Sequence, residues 1–192
     1  MSTMRVQRIL LASTSPQRLD LLTKAGFSVE VVPSHVEEEP IQGASTRDTA
    51  RLRAVAKALE VARRHPAAIV VGGDTVVVAP SGREVGKPAT QDEARLMLAE
   101  LWGTSHQVIS AAAVVAGGDV WEGSAVATVT LLKPVASDLE DYLRTGESLG
   151  KAGGLCVQGL GQKFVAGIHG DVDTVVGLPM GLLGPHLRAL LH

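Results

Sequence analysis

The chain has almost no aromatic residues: two Trp, one Tyr and two Phe, 3% of 192 positions. That scarcity argues against a platform for single-stranded nucleic acid, which stacks bases on aromatic rings. An excess of either charge is missing as well. The formal net charge is −2, with 18 Lys and Arg against 20 Asp and Glu, and no basic block occurs. Duplex DNA or RNA needs a basic footprint, so no nucleic-acid polymer is expected as partner. A small anionic ligand stays open, because a few placed cations suffice for it. Cysteine is limited to Cys156, which excludes an internal disulfide and fits a reducing compartment. No apolar run approaches the ~20 residues that span a bilayer. Met1–Leu11 lacks the apolar core of a secretory signal. The expectation is a soluble, cytoplasmic protein. With 45% hydrophobic and 20% charged residues, the chain is globular and long enough to bury a full core, as one large domain or two intimate lobes.

What is present is an alternation of Val- and Ile-rich runs with amphipathic stretches. The runs predict strands at Arg8–Ala12, Ser28–Val32, Ala68–Ala79, Gln107–Ala116, Val120–Pro134 and Phe164–Ile168. The amphipathic stretches predict helices at Pro16–Ala25, Thr46–Arg64, Gln91–Leu101, Asp138–Arg144 and Met180–Leu191. Two helix starts carry capping-box spacing, Thr90 with Glu93 and Ser137 with Glu140. Gly117-Gly118-Asp119 reads as a hairpin turn among crossover helices, so the fold class is α/β with a mixed sheet. The one dense charge run, Glu37-Glu38-Glu39-Pro40, reads as a solvated loop.

Ser13-Thr14-Ser15-Pro16-Gln17-Arg18 lies between an apolar strand and a helix closed by Gly26. Ser15 suits the N-cap and Pro16 the first turn. Free N–H groups and the helix dipole there favour an anion, and two hydroxyls with Arg18 suit a phosphate. An ordinary capped turn has the same composition. Asp74 interrupts the apolar run Ala68–Val78 just after Gly72-Gly73. A carboxylate in a buried strand is costly unless it is paired, bound to metal or protonated. A metal ligand or a general base is the functional reading, against a turn Asp that caps nearby N–H groups. Lys87 is held between Gly86 and Pro88, which would present its ammonium at a defined place, although a solvated turn Lys is commoner. The stretch Gly150–Gly161 is glycine-dense, which allows close backbone approach to a ligand. Within it, Gln158 carries both donor and acceptor, which suits reading a base edge, although a purely structural glycine-rich loop is the commoner meaning of such a stretch.

Several literal motifs fail. Gly82 to Lys87 and Gly146 to Lys151 have three residues between the glycines, not the four of a P-loop, and lack its Ser/Thr. Gly146-Glu147-Ser148-Leu149-Gly150 matches G-x-S-x-G, with Asp171 or Asp173 and His186 following, but a helix precedes it where a hydrolase elbow needs a strand. The six His and one Cys show no zinc spacing. Trp102 and Trp121 read as packing residues.

In order, Leu11–Arg18, Leu21-Leu22, Gly73–Val77, Gly86-Lys87-Pro88, Gly103 with His106, Gly146-Glu147, Lys151–Gly153, Val157–Gly161 and Val176–Pro179 resemble the Maf family of nucleoside triphosphate pyrophosphatases. The resemblance runs over nearly the whole chain. It implies a single Maf-like domain over residues 1–192, an elongated mixed sheet with flanking helices and two lobes around a central cleft. It implies metal-dependent hydrolysis of a nucleoside triphosphate to the monophosphate and pyrophosphate, with Mg²⁺ or Mn²⁺ as cofactor. By resemblance, Asp74 is the proton acceptor and a metal partner. Glu38 joins the metal shell. Ser13, Arg18, Lys57 and Lys87 hold the triphosphate, although Leu52–Ala56 fits the family pattern with a one-residue offset. The branch acting on dTTP and UTP carries Thr after the catalytic Asp and Gln in the glycine segment, which Thr75 and Gln158 match. Gln17 departs from it, standing where much of the family has Arg. Gln17, Thr75 and Gln158 are therefore the candidates for base choice. The alternative from another class is a non-catalytic nucleotide-binding regulator of cell division or septation, and a third is a phosphohydrolase releasing orthophosphate. Oligomeric state is open, a homodimer included.

Overall fold

The computed structural model describes residues 8–38 and 41–191. Glu39 and Pro40 of the acidic run, like Met1–Gln7, lie outside the described residues. The elements in chain order are β1 (Ile9–Leu11), α1 (Pro16–Lys24), β2 (Val29–Val31), α2 (Thr46–Arg64), β3 (Ile69–Val78) and β4 (Glu84–Val85), followed by α3 (Gln91–Leu101), β5 (Ser105–Ala116), β6 (Asp119–Leu131), α4 (Ala136–Arg144), β7 (Val165–His169), α5 (Val172–Val176) and α6 (Met180–Leu191). The seven strands form one mixed sheet in the order β2-β1-β3-β5-β6-β7, with β4 against β3. β1 runs parallel to β2 and β3, in register Leu11↔Val31 and Leu11↔Val71. β7 is antiparallel to β6, with a register shift at Thr130/Leu131. Gly117 and Gly118 turn β5 into β6 at φ of 59° and 96°, the sign of a two-residue hairpin turn that a side chain would strain. Among the described residues no helix is long and apolar enough to cross a membrane.

The chain divides into two compact units. The first comprises residues 1–74, 110–125 and 177–192. Its core holds all of β1, Leu22 of α1, Val70 and Val71 of β3, Leu183 and Leu187 of α6, and the stripe Ala50, Ala54, Ala58 and Val61 of α2. That stripe recurs at spacings of four, four and three residues, so one small-residue face of α2 can approach the sheet closely. Gly72 completes the approach, since a Cβ there would collide with the carbonyl oxygen of Ala54 and lie 2.9 Å from the Ala58 nitrogen. Trp121 of this unit stacks on His186 with centroids 4.5 Å apart, a packing role as expected.

The second unit comprises residues 75–109 and 126–176. Val77, Val85, Leu101, Val108, Val129 and Leu131 make one apolar cluster, and Leu98, Tyr142, Leu143 and Phe164 make another. Trp102 packs on Phe164 at 5.0 Å between centroids. The Thr90 cap forms, its hydroxyl accepting from Glu93 N–H at 3.2 Å, while Glu93 reaches Ala89 N–H rather than that of Thr90. The Ser137–Glu140 box does not form. α4 starts earlier, with Val135 at its N-cap and no side-chain cap bond, and Glu140 instead takes a two-pronged contact from Arg95. An ion pair from another helix thus outcompetes the local box.

His106, on β5, is buried, and its Nδ1 has no hydrogen-bond partner among the described residues. Burial lowers its pKa from 6.5 to about 4. The neutral form is the one the fold accepts, so its stabilising contribution is whole above pH 6.5 and is lost as pH falls through about 4. That window is worth up to ~3 kcal/mol at 1.36 kcal/mol per pKa unit. Urea unfolding at pH 7, 5 and 4 should show a smaller acid loss in His106→Gln than in the wild type. Equal losses would exclude His106 as the source.

Candidate active site

Ser15 begins α1 in extended conformation, and its hydroxyl accepts from Arg18 N–H at 3.4 Å, with Pro16 in the first turn. Its own hydroxyl donates to Gln17 Oε1 at 3.2 Å, and its N–H donates to Ser13 Oγ at 3.2 Å. The capped strand-to-helix turn expected from sequence is thus present. Arg18 folds back over it. Nη1 donates to Ser13 Oγ and Nε to the carbonyl of Gly177, both at 3.0 Å, in a buried setting. Burial pulls its pKa below the usual guanidinium value, against the opposing pull of Asp74 and Glu38. Gly73 makes room for this side chain, as a Cβ there would lie 3.1 Å from Arg18 Nε and 2.9 Å from Leu178.

Gly72 and Asp74 share a face of β3, because strand side chains alternate. The close approach of α2 at Gly72 therefore carries α2 side chains onto Asp74. Lys57 is buried there, and its Nζ donates to Asp74 Oδ1 and to Glu38 Oε1, each at 2.7 Å. Arg53, one turn earlier on the same face, places Nη1 3.8 Å from Asp74 Oδ2. Asp74 itself is 1% exposed, and Oδ2 accepts no hydrogen bond among the described residues. Glu38 comes from an exposed loop that α2 also holds. Arg64 donates to the Pro33 carbonyl at 3.0 Å, and Glu60 accepts from His35 N–H at 3.4 Å. Ser13, Arg18, Lys57, Glu38 and Asp74 thus belong to the first unit.

Thr75, Lys87 and Gln158 belong to the second unit. Thr75 is half-buried on β3, and Lys87 and Gln158 are exposed. The Lys87 turn and the glycine-rich segment are laced together. Gly150 N–H donates to the Pro88 carbonyl and Gly153 N–H to that of Gly86, both at 2.9 Å. Arg53 escaped the reading of the sequence, although its position four residues before Lys57 places both on one helix face.

A family profile described as "Maf-like protein" matches residues 8–190. The chain belongs to the Maf family. It is similar to the dTTP/UTP pyrophosphatase of Symbiobacterium thermophilum, 37% identical over 91% of this chain and 90% of that protein. It resembles the dTTP/UTP pyrophosphatase of Aquifex aeolicus at 40% identity, over 95% of each chain. The dTTP/UTP pyrophosphatase of Bacillus pumilus is 38% identical over 91% of this chain and 92% of its own. A solved HAM1 protein of Coxiella burnetii overlaps 67% of this chain and 74% of its own at a TM-score of 0.48 and 15% identity.

The donor set of this Maf chain fits a hard divalent cation. Asp74 Oδ2 is a buried carboxylate oxygen without a hydrogen bond, and Glu38 adds a second carboxylate. No group of three or more His, Cys, Asp or Glu able to cage a metal occurs among the described residues. Carboxylate oxygens are the donors that a hard divalent cation prefers, and one or two of them suffice where other oxygens complete its shell. The G-x-S-x-G match is structural. Gly146 has a φ of 72° beyond α4, no strand precedes it, and Ser148 is fully buried, which leaves no exposed nucleophile.

Proposed function

We propose that this Maf protein is a cytoplasmic hydrolase of free nucleoside triphosphates, dTTP and UTP foremost, yielding the monophosphate and pyrophosphate. The observation that carries the reading is Asp74. Lys57 holds Oδ1 at 2.7 Å, and Oδ2 accepts no hydrogen bond among the described residues. Oδ2 is then the atom that takes the proton of the attacking water, as a general base must. A divalent cation held by Asp74 and Glu38 would neutralise charge on the polyphosphate. Arg18, fixed by Ser13 and Gly177, supplies a rigid guanidinium for phosphate oxygens, and Lys57 and Lys87 supply ammonium groups. By resemblance Thr75 and Gln158 match the dTTP/UTP branch, and the similar proteins named dTTP/UTP pyrophosphatase support that choice of substrate. Gln17, Thr75 and Gln158 are the residues assigned to choosing the base. A binder alone would gain nothing from a buried acidic group beside a phosphate.

The test is a panel of UTP, dTTP, CTP and GTP with magnesium or manganese, followed by product analysis. Pyrophosphate is expected, with UTP and dTTP preferred and activity lost in excess chelator. Orthophosphate as the product, or none at all, would overturn the reading. Full turnover in chelator would remove the metal from it.

A further inference from the structure

Gln158 is exposed, on a glycine-rich stretch between two short 3-10 turns, Ala152–Gly154 and Leu160–Phe164. A side chain so placed discriminates between bases only if its backbone is held, since loose groups lose affinity to ordering. Two side chains hold it, one in the last turn of α4 and one just beyond that helix. Tyr142, buried, donates its hydroxyl to the Gly154 carbonyl at 3.3 Å and accepts from Cys156 N–H at 3.0 Å. Glu147 takes the other flank, Oε1 accepting from Leu160 N–H and Oε2 from Gly161 N–H, each at 3.1 Å. Gln158 lies between the two pins.

Gly159 shows how closely this carboxylate is seated. Its φ is −117°, so handedness does not demand glycine there. What demands it is Glu147. A Cβ at Gly159 would run into Oε1 and lie 2.6 Å from Cδ. Gly161 is needed for a related reason, since a Cβ there would lie 2.6 Å from the Cys156 carbonyl oxygen. The glycines thus fold the segment tightly enough for one carboxylate to bridge two successive N–H groups. We propose that Glu147 is a positioning residue for base selectivity, fixing the loop that aims Gln158. The inference rests on the reading of Gln158 as the base-contacting residue.

Glu147→Gln keeps the size but puts an amide N–H₂ against one of the two backbone N–H donors. At least one charge-assisted bond is lost, and on the scale of 1.4 kcal/mol per decade the expected rise in KM for UTP is about tenfold. kcat should hold, and so should competitive inhibition by tripolyphosphate, which has no base. Glu147→Asp, with both acceptors on a shorter stem, should recover part of the loss. Gly159→Ala, which displaces the carboxylate while retaining it, should reproduce the base-specific loss and add nothing in a Glu147→Ala background. A Glu147→Gln protein that loses UTP affinity and tripolyphosphate inhibition by the same factor, or neither, overturns the proposal. Gln158→Ala is measured in parallel. If it shows the base-specific loss and Glu147→Gln does not, base reading stands and positioning falls. If only Glu147→Gln shows it, the loop is positioned for selectivity but Gln158 is not its reader.

Discussion

Asp74→Asn should lower kcat for UTP by about a thousandfold or more while the protein stays folded. General-base removal alone costs about 10²–10⁴, and the same carboxylate is assigned a share of the metal. Asparagine is nearly isosteric, and its amide oxygen can still accept from Lys57 Nζ, which sits 2.7 Å from Oδ1. The fold therefore keeps that contact. What goes is the acceptor at Oδ2, the buried oxygen that accepts no hydrogen bond among the described residues. The amide in its place cannot take a proton from water. Lys57 retains Glu38 as its counter-ion at 2.7 Å, so no buried cation is stranded. Steady-state kinetics should be paired with thermal unfolding. Near-normal kcat would make Asp74 a structural residue. A collapsed melting temperature would leave kinetics uninformative, and Asp74→Glu, which keeps the base but moves it, would then decide by its activity.

Much of this was legible in the sequence where the cause is local. α2, α3 and α6 take the bounds that caps and periodicity predict, and Ser15-Pro16 opens α1 as expected. β4 and α5 had no periodicity to betray them, being two and five residues long. Ser137–Glu140 misled because Arg95, some forty positions away, claims the glutamate. In the site, Asp74 stood out as a charge inside an apolar run, and Arg18 as a cation at a helix start. Arg53 did not, because an Arg on an amphipathic helix reads as solvated. It is buried only because α2 settles onto Gly72, nineteen positions later on β3. Glu147 was visible as part of a motif, but its task exists only once the chain returns to bring Leu160 and Gly161 over it.

The same distinction between local and buried charge gives the largest effect expected on stability. Lys57→Met should destabilise the protein by roughly 3–5 kcal/mol, the cost of breaking a buried ion pair by deleting one partner. Methionine fills much the same space, so a cavity is not the cause. The cause is Asp74, 1% exposed, which would lose its hydrogen-bonded counter-ion. Arg53 offsets part of this from 3.8 Å, too far for a hydrogen bond. At ~2–4 °C per kcal/mol for a chain of this size, Tm should fall by roughly 10 °C. Lys24→Met is the contrast. Lys24 meets Asp20 at the same 2.7 Å, but the side chains are 70% and 46% exposed. An i,i+4 surface pair is worth about 0.3–0.5 kcal/mol, so little should change. The decisive arm is the double variant Lys57→Met with Asp74→Asn. A neutral amide needs no counter-ion, so the double variant should recover a large part of the loss, a coupling above ~1 kcal/mol in the cycle. Urea unfolding of the four proteins measures it. Additive losses would mean that Lys57 stabilises the fold through Glu38 or through its aliphatic stem, and that the charge on Asp74 is held by Arg53 instead.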